Sequence, residues 1–371
     1  MPLTAISIQG YRSIPRLYFN VDACSIFVGS NGVGKTNLYK ALGLLRAAAE
    51  SSITRAIAQE GGVESVLWTG GRRRREPVRL ILKAEIDHLR YEVEVGLPSP
   101  AQAAFRIEPL IKEERLIATV GKRKVDMMER LGPVVHLRNA DGAREMHKDA
   151  VLSSETALTT FRDGTRYPEL EAVRQEMLDW RLYHDFRTDE ASPIRQACHA
   201  IATPTLSADG SDLAAVLGTL FVIRRDTTEL QRAFADAFPG AALLAGDNGS
   251  WCQLSVHFPD LPRPFGAHEL SDGTLKYLCL LGALMGYRLP SLVALNEPEA
   301  SLHPSLLPPL ARLIAKAAQR TRIWIVTHSE ALAAALYEET GKKARRVIKE
   351  DGATTIEGLM LSGAFRDDED D

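Results

Sequence analysis

Gly29-Ser30-Asn31-Gly32-Val33-Gly34-Lys35-Thr36 has the spacing G-x-x-x-x-G-K-T of a phosphate-binding loop. The apolar run Cys24-Ser25-Ile26-Phe27-Val28 before it suits a buried strand. After it, Leu38, Ala41, Leu42 and Leu45 fall at i, i+3, i+4 and i+7, one face of a helix. The motif therefore stands between a strand and a helix, where its chemistry requires it. Glycines let the backbone turn tightly and lay N–H groups on phosphate oxygens, and the helix N-terminus adds partial positive charge. Lys35 would neutralise the β- and γ-phosphates, and the Thr36 hydroxyl would ligate Mg²⁺. The competing reading, a Gly-rich turn with a chance Lys-Thr, leaves the flanking strand and helix unexplained.

The chain has 371 residues, 45% hydrophobic and 25% charged, ordinary for a globular protein with a sizeable core. A net charge of -3 excludes an overall basic field that would draw the molecule to nucleic acid. Contact with DNA would have to be local, at Arg72–Arg75, at Lys122-Arg123-Lys124, or at Lys342-Lys343 with Arg345-Arg346. Such clusters are more often solvated faces. Cys24, Cys198, Cys252 and Cys279 form no C-x-x-C pair, so neither a zinc site nor a disulfide framework is expected. The N-terminus lacks a signal-peptide pattern and no apolar run reaches membrane-span length, so a cytoplasmic protein without a membrane partner is expected.

Along the chain, Ala5–Gly10 alternates as a strand, Gly10–Ile14 reads as a turn, and Leu17-Tyr18-Phe19 starts a second strand. A helix is expected from Thr36 to about Glu50. From Val78 to about Lys148 the period is mostly two, including Phe105-Arg106-Ile107, which predicts antiparallel hairpins. Residues 152–186 read as helical, with the aromatic and charged stretch Trp180–Arg187 as a helix end. Ser211–Phe238 reads as helix, and Leu254–Phe258 as strand. The last third alternates: a helix from Thr274, a strand Leu292–Leu295, a helix after Pro304, a strand Ile323–Val326, a helix from Glu330. Asp367–Asp371 is an acidic tail, expected to be disordered.

The second half carries a further set of polar residues. Ser271-Asp272-Gly273 opens a very apolar helix, which is either a second anion site or a plain N-cap. The strand Leu292–Leu295 runs into Asn296-Glu297-Pro298-Glu299, and Glu297 would polarise a water for attack on a γ-phosphate. Leu302-His303-Pro304 follows, and the next strand ends in Thr327-His328-Ser329. Taken singly, His303 and His328 would more often be structural.

As an ordered set these motifs resemble ABC-type ATPase heads of the SMC/RecF-like branch, among predicted AAA-type ATPases with an E-P-E-x-x-L-H-P signature. The resemblance covers nearly the whole chain, including Tyr11-Arg12-Ser13-Ile14. It implies an α/β P-loop fold with an antiparallel β subdomain and a helical insert. The expected division is 1–148, 149–204 and 205–371, as parts of one integrated ATPase domain. It implies ATP and Mg²⁺ as ligands. Gly29 to Thr36, the adjoining Asn37 and Arg12 would bind ATP. Ser271, Asp272 and Gly273 would meet the γ-phosphate held by a partner copy. Lys35, Glu297 and His328 would be catalytic, with Thr36 and Asn296 at the metal. Ser301 would lie in the loop that meets its mate across the dimer, and Gln196 is the candidate for the Q-loop.

Three positions depart from the family pattern. Asp272 and Thr274 replace a signature glycine and glutamine, and Asn296 replaces the Walker B aspartate. An amide still bonds a metal-bound water but brings no negative charge, so weaker Mg²⁺ binding and slow turnover are expected. The 230 or so residues between Thr36 and Ser271 show no sustained heptads, so no long coiled coil is expected. The resulting expectation is an ATPase that dimerises around two ATP molecules to drive or gate work on DNA or a partner protein. Genome maintenance or anti-phage defence follows from resemblance alone. The alternative is a nucleotide-gated switch with little turnover that controls an effector such as a nuclease or toxin.

Overall fold

The computed structural model describes residues 1–71, 79–97, 108–223 and 227–366. The Arg72–Arg75 cluster, the Phe105–Ile107 strand and the acidic tail fall outside the described residues. Two compact units divide the chain. The first takes Met1–Asp22, Gly29–Trp180 and Arg345–Asp371, and the second takes Ala23–Val28 and Arg181–Ala344.

The first unit is built on an antiparallel sheet. Its strands are β1 (Leu3–Tyr11), β2 (Ile14–Asn20), β4 (Arg79–Ile86), β5 (Leu89–Gly96), β6 (Leu110–Val120), β7 (Arg123–Leu131), β8 (Val134–Arg138) and β9 (Arg144–Lys148). Among the described residues they lie in the order β2-β1-β4-β5-β6-β7-β8-β9. Burial alternates along all of β4 and along β5 up to Val95, as expected of a sheet with one face on a core. Helices α1 (Lys35–Ala49), α2 (Ile53–Gln59), α3 (Val63–Val66), α4 (Ala157–Thr160) and α5 (Pro168–Asp179) belong to the same unit. So does a C-terminal hairpin, β17 (Arg345–Glu350) and β18 (Ala353–Ile356), which the sequence reading did not foresee. Glu350 pairs with Ala353, leaving Asp351-Gly352 as a two-residue loop with both φ positive, the twist a tight hairpin needs.

A buried polar network explains why the segment after β9 belongs here. Glu114 and Arg130 are fully buried, 3.6 Å apart. Glu114 accepts from the Tyr91 hydroxyl and from the amides of Ala157 and Leu158 at the start of α4. Arg130 donates to the carbonyls of Gly132, Leu152 and Glu155. Burial raises the Glu114 carboxyl above its usual range, against the pull of Arg130. The pair thus ties residues 152–158 to β6 and β7, within the first unit.

The second unit holds a parallel sheet of β10 (Arg181–Tyr183), β15 (Leu292–Asn296), β16 (Arg322–Thr327) and β3 (Cys24–Val28), in that order. Every residue of β3 and β15 is buried, the pattern of strands covered on both faces. The same unit holds a small antiparallel sheet of β11 (Cys198–His199), β12 (Ala242–Asp247), β13 (Trp251–His257) and β14 (Phe265–Gly266). The helices are α6 (Leu213–Ile223), α7 (Thr228–Ala237), α8 (Asp272–Met285), α9 (Leu307–Ala318) and α10 (Glu330–Thr340). In α8 every residue from Thr274 on is buried.

The helical reading of residues 152–186 is corrected. Helix α5 stops at Asp179, Trp180 is buried, and Arg181-Leu182-Tyr183 is β10, paired with Val293-Ala294-Leu295. A three-residue strand beside a fully apolar one needs no periodic signal of its own.

Candidate functional site

The phosphate-loop residues fall in the first unit. Lys35 is the first residue of α1, whose N-cap is Gly34 in the left-handed conformation (φ 97°, ψ 13°) with no side-chain cap. The first-turn N–H groups are therefore left without a capping side chain, the local arrangement an anion uses. Lys35 is buried, and its Nζ donates to the carbonyls of Gly29 (2.6 Å) and Ser30 (2.7 Å). Ser30, Asn31 and Gly32 are exposed, and Val33 and Thr36 half-buried. Gly29 has no room for a side chain: a Cβ would stand 2.5 Å from the Val347 carbonyl oxygen. At Gly34 a Cβ would collide with the hydroxyls of Thr354 and Ser13.

The turn after β1 splits its two polar residues. Arg12, at φ 49°, gives its Nε and Nη2 to Glu60 Oε2 (2.9 and 2.6 Å), which also accepts from the Tyr11 hydroxyl at 2.8 Å. Burial is the largest single influence and works against the Arg12 charge, but the Glu60 hydrogen bond and the charges of Tyr11 and Glu60 together outweigh it, leaving the guanidinium above its usual range. Ser13 turns the other way. Its Oγ accepts from Asn37 Nδ2 (2.8 Å) and lies 2.7 Å from Thr354 Oγ1, which donates to the Val33 carbonyl at 2.7 Å. Arg12 is thus held by Glu60, while Ser13 makes the connection to the loop.

The carboxylate and histidine set falls in the second unit, at the C-terminal ends of β15 and β16. Asn296 pairs with Val326, and Thr327 pairs with Val28, the residue that leads into Gly29. Asn296 is buried and its Oδ1 has no hydrogen-bond partner among the described residues. Glu297 sits at φ 48°, a left-handed backbone that costs a non-glycine residue roughly 1–3 kcal/mol. Its N–H bonds the Val326 carbonyl at 2.7 Å, and its side chain is about one-third exposed (34%).

Glu299 is buried and organises its neighbours. Its Oε1 accepts from the Thr327 hydroxyl (2.5 Å) and the His328 amide (3.1 Å), and lies 3.3 Å from His328 Nδ1. His328 Nδ1 also stands 3.6 Å from Glu297 Oε1. The histidine ring therefore stands beside two carboxylates, one buried and one about one-third exposed. His303, by contrast, is structural: its Nδ1 accepts from the Ser305 amide and caps a short turn.

Ser271 is the N-cap of α8, with its Oγ accepting from the Thr274 amide (3.3 Å) and 2.8 Å from the Thr274 hydroxyl. Gly273 lies against the loop after β15, where a Cβ would stand 3.1 Å from the Ser301 carbonyl. Ser301 is exposed at φ 64°. Asp272 is 2.7 Å from Arg195 Nη2, and Arg195 Nη1 also donates to the carbonyls of Leu270 (2.8 Å) and His268 (3.1 Å). Gln196, next to it, ends a one-turn helix over Pro193–Arg195. Arg195, Ser13, Thr354 and Glu60 were missed in the sequence. Only Thr354 left a signal, because Asp351-Gly352 between β-branched runs marks a hairpin.

A family model described as "AAA domain, putative AbiEii toxin, Type IV TA system" matches residues 133–334, more than half of the chain. The chain belongs to this AAA family. A second model, for a protein family of unknown function, matches residues 1–54. In fold, this AAA domain is similar to the Smc head domain with an extended coiled coil bound to the C-terminal domain of ScpA, derived from Pyrococcus furiosus. The TM-score is 0.50 at 13% identity, over 100% of this chain and 99% of that one. An Smc head bound to the C-winged helix domain of ScpA aligns at TM-score 0.49 and 14% identity, over 97% and 98% of the two chains. The Smc head domain from Thermotoga maritima gives 0.43 and 14%, over 96% and 98%. The AAA domain thus has the fold of an ABC-type ATPase head of the SMC/RecF-like branch. The longest helix among the described residues has 15 residues, and no long coiled coil is among them. It is a nucleotide-binding ATPase domain, of a kind that uses ATP with Mg²⁺. No described helix is long and apolar enough to cross a membrane.

Proposed function

We propose that this AAA domain binds ATP at Gly29–Thr36 and hydrolyses it with Glu297 as general base, His328 supporting the γ-phosphate. The observation that carries the reading is the strained backbone of Glu297 at the end of β15, with His328 3.6 Å away at the end of the adjacent strand. Such strain persists where the surroundings over-determine it, and it clusters at reactive sites. Lys35 is the cation for the β- and γ-phosphates, and Asn37 fixes the first turn of the helix behind them. Glu299 holds His328 and Thr327 in place. Val28 continues directly into Gly29, a covalent continuity that supports assigning the loop and the carboxylates to one nucleotide.

The residues present fit Mg²⁺ held through water. The buried Asn296 Oδ1 is an acceptor with no partner among the described residues and would bond a metal-bound water, and the Thr36 hydroxyl would be a second ligand. Mg²⁺ bound there would neutralise phosphate charge. With no carboxylate at position 296, Mg²⁺ affinity is expected to be weak and turnover slow.

Two copies would close around two ATP molecules, with Ser271, Asp272 and Gly273 of each copy facing the other's γ-phosphate and the Ser301 loops meeting across the dimer. Asp272 would repel that phosphate on its own. Its ion pair with Arg195 removes this objection. DNA and an effector protein are the candidate partners. Lys122, Arg123 and Lys124 are exposed at the β6–β7 turn, a local patch suited to phosphate backbone, whereas Arg345 stacks on Phe365. The family description, a putative toxin of a toxin–antitoxin system, supports an effector context.

The test is phosphate release with Mg²⁺-ATP over a protein concentration series, with sizing in the presence and absence of ATP. Specific activity that rises with concentration, an ATP-dependent dimer, and a loss of about 10²–10⁴-fold in Glu297→Gln support the reading. Activity unchanged in Glu297→Gln removes Glu297 from the chemistry. A second reading, a switch with little turnover, is favoured by the uncharged Asn296. A dimer formed on ATP without phosphate release selects it.

A further inference from the structure

Four groups from distant parts of the first unit form one hydrogen-bond chain that ends on the phosphate loop. The Asn37 amide donates to Ser13 Oγ, and Thr354 Oγ1 donates to the Val33 carbonyl. Each hydroxyl has a single proton. Thr354 spends its proton on Val33, so the 2.7 Å contact between the two hydroxyls must carry the Ser13 proton toward Thr354. The direction is then fixed throughout: Asn37 to Ser13, Ser13 to Thr354, Thr354 to Val33. The Thr354 amide also bonds the Ser13 carbonyl at 2.6 Å, and Thr354 is only 1% exposed.

The end point matters because of the peptide that follows. The Val33–Gly34 bond is trans, so the Gly34 N–H points opposite to the Val33 carbonyl. Glycine at φ 97° leaves that peptide plane free to rotate unless something holds it. Thr354 holds the carbonyl. A second contact from the same hairpin, the Val347 carbonyl against Gly29, closes on the other end of the loop.

We infer that Thr354 is a positioning residue for nucleotide binding: through Val33 it latches the 33–34 peptide so that the Gly34 N–H is presented to phosphate. The inference rests on the ATP-binding reading above. The latch acts before chemistry, so it governs affinity rather than the rate of the bound complex.

The experiment is titration of the full chain with a fluorescent ATP analogue, with kcat and KM measured alongside. Thr354→Val keeps the shape and removes the hydroxyl, and is expected to weaken binding about tenfold, with kcat at saturating ATP unchanged. Thr354→Ser restores the hydroxyl and is expected to restore affinity. A wild-type chain that binds no nucleotide defeats the ATP-binding reading itself. A wild-type chain that binds, with Thr354→Val binding equally well, overturns the latch alone. Thr354→Ser as weak as Thr354→Val overturns it too, since the methyl packing would then be responsible. Should Thr354→Val fail to fold, Ser13→Ala carries the test, with a two- to threefold weakening expected from loss of the ordered chain; unchanged affinity there overturns the latch.

Discussion

Helices α1 and α8 each start where the sequence offers an anion site, and they start differently. The N-cap of α1 is a glycine in left-handed conformation with no side-chain cap, and its own lysine folds back on the loop carbonyls. The N-cap of α8 is a serine in extended conformation whose hydroxyl already serves Thr274. The α1 end carries no side-chain cap, whereas the α8 end carries one. The lesson is that helix polarity alone does not distinguish a binding end from a capped end.

Gly34→Ala should break the comparison most severely. It forces a Cβ into the left-handed region and against Thr354 and Ser13. Strain and overpacking together amount to roughly 2–4 kcal/mol, so ATP affinity should fall about thirtyfold or more. Titration with labelled nucleotide measures it, and retained affinity would mean that the α1 end is not the phosphate site.

Arg195→Ala probes the capped end. It strips the carbonyls of Leu270 and His268 of a donor and leaves Asp272 as a bare negative charge. The ATP-dependent dimer should weaken by about tenfold, while nucleotide affinity of the monomer stays at the wild-type level. Adding Asp272→Asn should recover part of the dimer. An equal fall in monomer affinity would show that Arg195 acts through the fold and not through the charge on Asp272.

Ser271→Ala should have the smallest effect on stability, about 1 kcal/mol for a lost N-cap, read as a modest fall in Tm. Ser271→Asp sharpens the distinction because Asp caps as well as Ser. It should preserve Tm yet abolish the dimer, by placing a carboxylate opposite a phosphate. If Ser271→Asp still dimerises on ATP, the α8 end is only a cap.

The strand-loop-helix around Gly29–Thr36 was legible because a fixed motif and two periodic segments agreed. α8 was legible for a related reason, a long apolar run behind a capping serine. The strand end at Asn296-Glu297 was read from its apolar run, but not the left-handed turn at Glu297, since nothing in the residue type forces it. β10 carried no period in three residues. The C-terminal hairpin has a short signature, Asp351-Gly352 between Val347-Ile348 and Thr354-Thr355-Ile356, weaker than the phosphate-loop motif. The chain from Asn37 through Ser13 to Thr354 has no linear signature, because its members are separated by up to hundreds of residues and meet only after folding.

The backbone passes between the two units after Asp22, Val28, Trp180 and Ala344. On the ribosome this sets an order of events. The phosphate loop leaves the exit tunnel early, but the hairpin that braces it is made more than 300 residues later. At translation rates of roughly 5–20 residues per second, the loop waits on the order of 15–60 seconds for Thr354. A nascent chain therefore exposes its P-loop motif long before the brace that sets that motif's backbone has been synthesised. Premature termination anywhere between residues 36 and 354 should leave a product with the motif intact and the brace missing.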